Sequence, residues 1–255
     1  MTELRGLYTL WLREVKRYLR DRVRIVSSFV QPILWLVIFG TGIRFSIQIP
    51  HVTAQEYIFP GIIGQTLLFT SMFMGISVIW DREFGFLKEI LVAPISRVSI
   101  FLGKMLGDST DAVIQGILVF VLGFLIGIPL NGLMFLEILP IMLLTTFGLV
   151  SMGLTIAGFI ENLESYGAIQ SFINLPLFFL SGALFPVSGG SVPYWIQVVS
   201  NFNPLTYCVD ALRTITLGVG WQPGPLHPLY FDLLVVFGFD LLMIFIGTRS
   251  FSRKK

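Results

Sequence analysis

The stretch Leu133–Ile160, LMFLEILPIMLLTTFGLVSMGLTIAGFI, has Glu137 as its single charged residue. An α-helix needs about 20 apolar residues to cross the hydrocarbon core of a bilayer, and this run exceeds that with room for an interfacial start. A closed β-barrel would show short alternating strands, and this run is too continuously apolar for that. Five more runs flank it: 25–43, 58–80, 112–130, 168–187 and 229–248. Pro32 and Pro176 interrupt two of them, which neighbouring helices make tolerable by satisfying the freed backbone groups. Of the 255 residues, 55% are hydrophobic and 13% charged. A soluble domain is nearer a quarter charged, so the excess apolar surface faces lipid. The expected fold class is an all-α integral membrane protein with six transmembrane helices in one permease-like domain, 1–255.

Lys and Arg fix the orientation. Residues 1–24 carry Arg5, Arg13, Lys16, Arg17, Arg20, Arg22 and Arg24; the second loop carries Arg82, Lys88, Arg97 and Lys104; the tail carries Arg249, Arg253, Lys254 and Lys255. The opposite side holds only Arg44 and Arg213. The positive-inside rule then puts both termini in the cytoplasm, although the loop 161–166 contributes two Glu and no basic residue. The chain is expected to be a multi-pass protein of the cell membrane (plasma or inner). The basic start is long and no A-x-A-like site closes the first apolar run, so no cleavable signal is expected.

Residues 1–24 read as an amphipathic interfacial helix, with Leu4, Tyr8, Trp11, Val15 and Tyr18 at steps of three and four and the basic residues mostly elsewhere. The outer loop 188–228 holds two short helix starts, Ser191 before Pro193 and Asn203 before Pro204, each a capping side chain ahead of a tolerated proline. Cys208, a lone cysteine, reads as a small packed residue. His51 and His227 read as solvated loop histidines.

No motif carries chemistry. The phosphate-binding G-x-x-x-x-G-K-[ST] loop is missing: Gly103-Lys104 is followed by Met105. No metal-like cluster, H-E-x-x-H or G-x-S-x-G occurs, so neither a cofactor nor a catalytic residue is expected in this chain, and no nucleic-acid partner. Asp108 and Asp111 lie one turn apart at the start of the third run, where the helix dipole favours carboxylates. Asp240 differs. Eleven residues past Leu229, it would sit about 16 Å deep, where a charge costs at least about 2.5–3.5 kcal/mol and must face protein or water. It is a candidate pathway residue. An ion-coupled secondary transporter using Asp240 with Asp108 and Asp111 is therefore a second reading, weakened by the absence of a clear internal repeat. A membrane enzyme is a third, without the clustered polar residues it would need.

The region 81–104 is the other departure from lipid chemistry. Phe84, Leu87, Ile90 and Leu91 form one face of a short helix, Arg82, Lys88 and Glu89 fall elsewhere, Pro94 ends it, and Ser96 can cap the next helix. A short helix with one apolar side, joined to two spans, fits a groove on a partner.

REFGFLKEILVAPISRVSIFLGK (82–104) and LSGALFPVS…VPYWIQVVSNFNPLTYCVDALR (180–213) resemble two signature regions of the membrane subunits of type-2 ABC exporters, the daunorubicin-resistance-like branch in particular; QPILWLVIFG (31–40) is similar to the same family. The resemblance covers nearly the whole chain. It implies a permease that dimerises, as a homo- or heterodimer, and binds two separate ABC ATPase subunits, which hold the ATP and Mg. It implies an N-terminal helix packed near the coupling helix and short helices at the outer side. Carried over, Phe84–Pro94 is the ATPase contact and Ile95–Lys104 the lever into the third span, with Arg82, Glu83, Phe84, Leu87, Lys88, Glu89, Leu91, Pro94, Ser96 and Arg97 as coupling residues. Asp240 lies in neither motif. The cargo is a lipophilic or amphipathic compound, a lipid or a glycan.

Overall fold

The computed structural model describes residues 2–42, 52–86, 92, 95–160, 162–188, 192–218 and 225–253. Every regular element among them is a helix: α1 Thr2–Arg20, α2 Arg22–Gly42, α3 Ala54–Met74, α4 Ile76–Glu83, α5 Arg97–Ile126, α6 Gly132–Phe159, α7 Leu163–Phe179, α8 Tyr194–Asn201, α9 Pro204–Leu217 and α10 Leu229–Arg253. Four stretches are long and apolar enough to cross a membrane: 54–83 (α3 with α4), 97–126, 132–159 and 229–251. They overlap four of the six expected spans. The other two expected spans overlap α2 and α7.

Local capping sets most boundaries. Thr53 and Glu56 form a reciprocal capping box at α3. Asn131 and Asn162 accept from backbone N–H groups at the starts of α6 and α7. Asn203 caps α9 with Pro204 behind it, as expected. α8 starts at Tyr194 after an N-cap Pro193 that offers no side-chain bond, and Ser191 lies outside the described residues.

α5 starts at Arg97, at the cap expected of Ser96, and runs without a break into the expected third span. Ser96 caps it by accepting from Ser99 N–H, nothing breaks the next 30 residues, and Gly127 ends it at φ 91, a conformation glycine adopts without a Cβ penalty. The expected coupling region 81–104 is thus divided, its first residues belonging to α4 and its last to α5. The run 168–187 is not one helix either. α7 spans 17 residues, about 26 Å, and stops at Phe179. Ser181 Oγ donates to Phe178 O and accepts from Ala183 N–H, and Gly182 turns the chain at φ 79. The returning segment buries Ala183 and Leu184, with Ala183 against the α-carbon of Gly61, where any side chain would collide. Backbone freed by that turn is satisfied from the α8–α9 region: Asn203 Nδ2 donates to Leu177 O at 2.7 Å and Arg213 Nη2 to Gly182 O at 2.8 Å. Such irregular backbone is tolerable at membrane depth only where protein covers it.

α3 is the central helix, packed on α2, α5, α6 and α9 and buried through Ile58, Phe59, Ile62, Ile63, Leu67 and Leu68. It breaks at Gly75, where the Tyr166 hydroxyl donates to Met72 O at 2.5 Å and so occupies a carbonyl of the helical ladder, a recognised cause of kinks. α10 packs chiefly along α6 and α1 along α5. Glu3 and Phe251 both reach the start of α5, so the two ends of the chain lie at one end of the bundle.

Candidate coupling site

α1 does not lie apart from the bundle. The sequence puts Gly103 and Gly107 one turn apart on α5, and their missing side chains let α1 approach closely. A Cβ on Gly103 would stand 2.9 Å from Leu10 Cβ, and one on Gly107 2.6 Å from Glu14 Cβ. Small residues four apart let helix backbones meet in this way. The stripe of α1 that faces α5 runs Leu7, Leu10, Trp11, Glu14 and Tyr18. Trp11 Nε1 donates to Thr110 Oγ1 at 3.0 Å, and Leu10 and Tyr18 are buried.

Glu14 falls on that apolar stripe, and it is there for a charge. Lys104 on α5 is wholly buried, and its Nζ donates to Glu14 Oε1 at 3.2 Å and to Asp81 Oδ2 at 2.7 Å. Asp81, in the last turn of α4, also accepts from Arg13 Nη2 at 2.6 Å. Arg17 stands 3.8 Å from Glu14 and 4.0 Å from Asp81, over the Trp80 ring. Buried charges are tolerated when paired and hydrogen-bonded, so this cluster locks α1, α4 and α5 to one another.

The residues that flank the expected ATPase contact are tied in the same manner. Arg82 Nη1 donates to Ile160 O at 2.8 Å and Nη2 to Ala157 O at 3.3 Å, placing a cation at the C-terminal end of α6, where the helix dipole favours it. On the other flank, Glu3 accepts from Ser96 N–H at 2.9 Å and from Ser96 Oγ at 3.0 Å. The hydroxyl of Ser99 and the Ser96 backbone hold the Glu3 carboxyl below the usual range. Arg97 Nη1 donates to Phe251 O at 3.3 Å. Asp81 and Arg82 therefore connect one end of the segment to α1, α5 and α6; Ser96 and Arg97 connect the other to α1 and α10.

Between those ends apolar side chains face out. Phe84 is 70% exposed, Phe86 51% and Val92 84%. Gly85 turns the chain after α4 at φ 81, and Glu83 is exposed. Leu87, Lys88, Glu89, Leu91 and Pro94, the rest of the expected contact, lie outside the described residues.

The expected acidic residues are placed differently. Asp108 and Asp111 sit three to four turns inside α5, so the helix dipole, which fades after the first turn, does not account for them. Both are buried and line a small cavity with Glu14, Arg17, Tyr18, Ser77 and Trp80, alongside the apolar Phe73, Met74 and Ile76. Asp240 is buried at the seam of α10 and α6, its carboxylate against Gly148. The sequence did not single out Glu3, Glu14 and Asp81, which make these ties, and it placed Lys104 as a basic loop charge and as the end of the Ile95–Lys104 lever, not as a buried ion-pair partner. The available signal was Glu14, an acid on the apolar stripe of a basic helix.

Residues 5–217 match the ABC-2 type transporter family. A protein of Cyanophora paradoxa named as a transport permease, ycf38, is 32% identical over 228 residues, 86% of this chain and 76% of that protein. Nodulation protein J of Rhizobium leguminosarum bv. viciae is 23% identical over 234 residues, 91% and 87% of the two chains. A Mycobacterium tuberculosis protein named for doxorubicin resistance as an ABC transporter permease, DrrC, is 23% identical over 214 residues, 81% and 75%.

Proposed function

The chain belongs to the ABC-2 type transporter family, and from that premise we propose that it is the membrane subunit of an ATP-driven exporter whose force enters through residues 81–97. Two copies, or this chain and a similar one, form the pathway, and each binds a separate ATPase subunit on the cytoplasmic side. α2 and α7 complete six spans, and the end of the bundle that holds α1, α4 and the C-terminus faces the cytoplasm. That both chain ends meet at the start of α5 agrees with an even number of spans.

The observation that carries this reading is the wiring of the segment's two ends. A partner gripping Phe84, Phe86, Leu87, Leu91 and Val92 pulls on Asp81 and Arg82 at one end and on Ser96 and Arg97 at the other. Those four residues bond to α1, α5, α6 and α10. Packed interiors move as units rather than deform, so ATP-driven closure of two ATPase subunits tilts the whole bundle. α5, 30 residues and about 45 Å long, carries the motion across. The kink at Gly75 supplies the bend between α4 and α3. The relative named for doxorubicin resistance makes a lipophilic or amphipathic compound the first cargo class to test, ahead of lipid and glycan.

The test is a pull-down of the detergent-solubilised chain from its host beside a Leu87→Asp, Leu91→Asp variant. The reading expects an ABC ATPase with the wild type and none with the variant. No ATPase with well-folded wild type would remove the partner on which the reading depends. An ion-coupled secondary transporter using Asp240 is the alternative reading, and Asp240 would then be tested in a proton-coupled transport assay.

A further inference from the structure

Asp210 and Arg213 of α9 and Asp232 of α10 are all buried, at 1%, 3% and 0% exposure, at the end of the bundle away from α1. Arg213 is engaged elsewhere: its guanidinium lies 4.0 Å over the Tyr57 ring and donates to Gly182 O. Asp210 is held in place. It accepts from Leu226 N–H at 3.0 Å and His227 N–H at 2.9 Å. Those bonds fix the backbone ahead of α10 and deliver the His227 ring, which packs between Tyr207 and Phe231 with ring centres 5.2 Å from each. Asp232 is different: among the described residues neither carboxylate oxygen has a donor within hydrogen-bond distance and His227 Nδ1 has no partner either; that nitrogen stands 3.7 Å from Asp232 Oδ1, and the Asp210 carboxylate faces Asp232. The dipole of α10 favours an acid in its first turn, but a second buried carboxylate beside it leaves excess negative charge that a cation or a proton must neutralise.

We propose that Asp210, His227 and Asp232 form a divalent transition-metal site, with zinc the best fit to the donor set. One donor atom from each lies within 4.8 Å of the other two. Zinc bonds of 2.0–2.2 Å at tetrahedral angles put neighbouring donors about 3.4 Å apart, close to the His227–Asp232 separation. An imidazole nitrogen beside carboxylate oxygens favours zinc over the all-oxygen shells of calcium and magnesium. The Asp210 hydrogen bonds to backbone N–H are the outer support that metal ligands commonly have. The fourth position is left to water. The ion neutralises the pair of acids and pins the chain before α10 to α9. The site stands independently of the coupling reading, since it is built from other residues at the other end of the bundle.

The test uses the full chain in lipid nanodiscs, stripped with EDTA, equilibrated with zinc chloride and desalted. The proposal expects one zinc per chain by elemental analysis, with calcium not retained. Asp232→Asn and His227→Ala should each fall to background. Zinc should raise the thermal midpoint of the wild type and leave both variants unmoved. Asp232→Asn keeps the side chain's shape and removes the unpaired charge, so it is expected to fold even if His227→Ala does not. Wild type that keeps no more zinc than Asp232→Asn, with no zinc-dependent shift, would overturn the site and leave a protonated Asp232 as the explanation.

Discussion

At the scale of single residues, Lys104 decides whether α1 stays docked. Its ammonium joins Glu14 of α1 to Asp81 of α4, and removing one member of a buried pair costs about 3–5 kcal/mol. Lys104→Met should lower unfolding stability in detergent by that order. Adding Glu14→Gln and Asp81→Asn should recover part of the loss, because the stranded charges go with it. Equal stability of the triple and the single variant would contradict the cluster. Glu3 is pH-sensitive in a defined direction. Its depressed carboxyl pKa means the tie to Ser96 is complete above the ordinary glutamate range, and it is lost as pH falls through the folded value. Proteolysis of residues 2–20 should therefore quicken in acid, and Glu3→Gln should abolish that pH dependence. The burial of Lys104 could not be read from its neighbours in sequence, because it exists only once α1 folds back across α5. Ser96 could, because a cap needs only its own N–H groups three residues on.

At the scale of elements, the α1–α5 contact rests on Gly103 and Gly107. Gly107→Leu places a side chain where Glu14 sits, so α1 should leave α5. Trp11 then loses its bond to Thr110, and its fluorescence should shift to longer wavelength; an unchanged spectrum would contradict the packing. Tyr166→Phe frees the Met72 carbonyl at the α3–α4 break. A lost hydrogen bond costs about 0.5–1.5 kcal/mol, so stability should fall little, whereas ATP-driven transport should fall several-fold if the kink relays motion. Asn203–Pro204 was legible as a helix start for the same local reason as Ser96. The end of α7 was not. LFFLSGALF looks continuously apolar, and what stops it at Phe179 is Ala183 docking on Gly61 together with carbonyl partners from Asn203 and Arg213, none of them near in sequence.

At the scale of the molecule, apolar side chains remain outside. Phe172 on α7 is 81% exposed, Leu234 on α10 65% and Phe124 on α5 63%. Lipid and a second permease subunit are the partners the account assigns to them, so native mass spectrometry of the intact assembly should find two permease chains for every two ATPase subunits. The central claim is that 81–97 is where the ATPase pulls, and cysteine-directed crosslinking in inverted membrane vesicles tests it most directly. Cys208 will not interfere, since it is fully buried and burial pushes its thiol up to about 12. With a cysteine at Phe84, 70% exposed, and a control at Trp195, 60% exposed on α8, the account predicts an ATPase adduct from Phe84→Cys and none from Trp195→Cys. An ATPase adduct from Trp195→Cys, or none from Phe84→Cys in vesicles that transport, would contradict it.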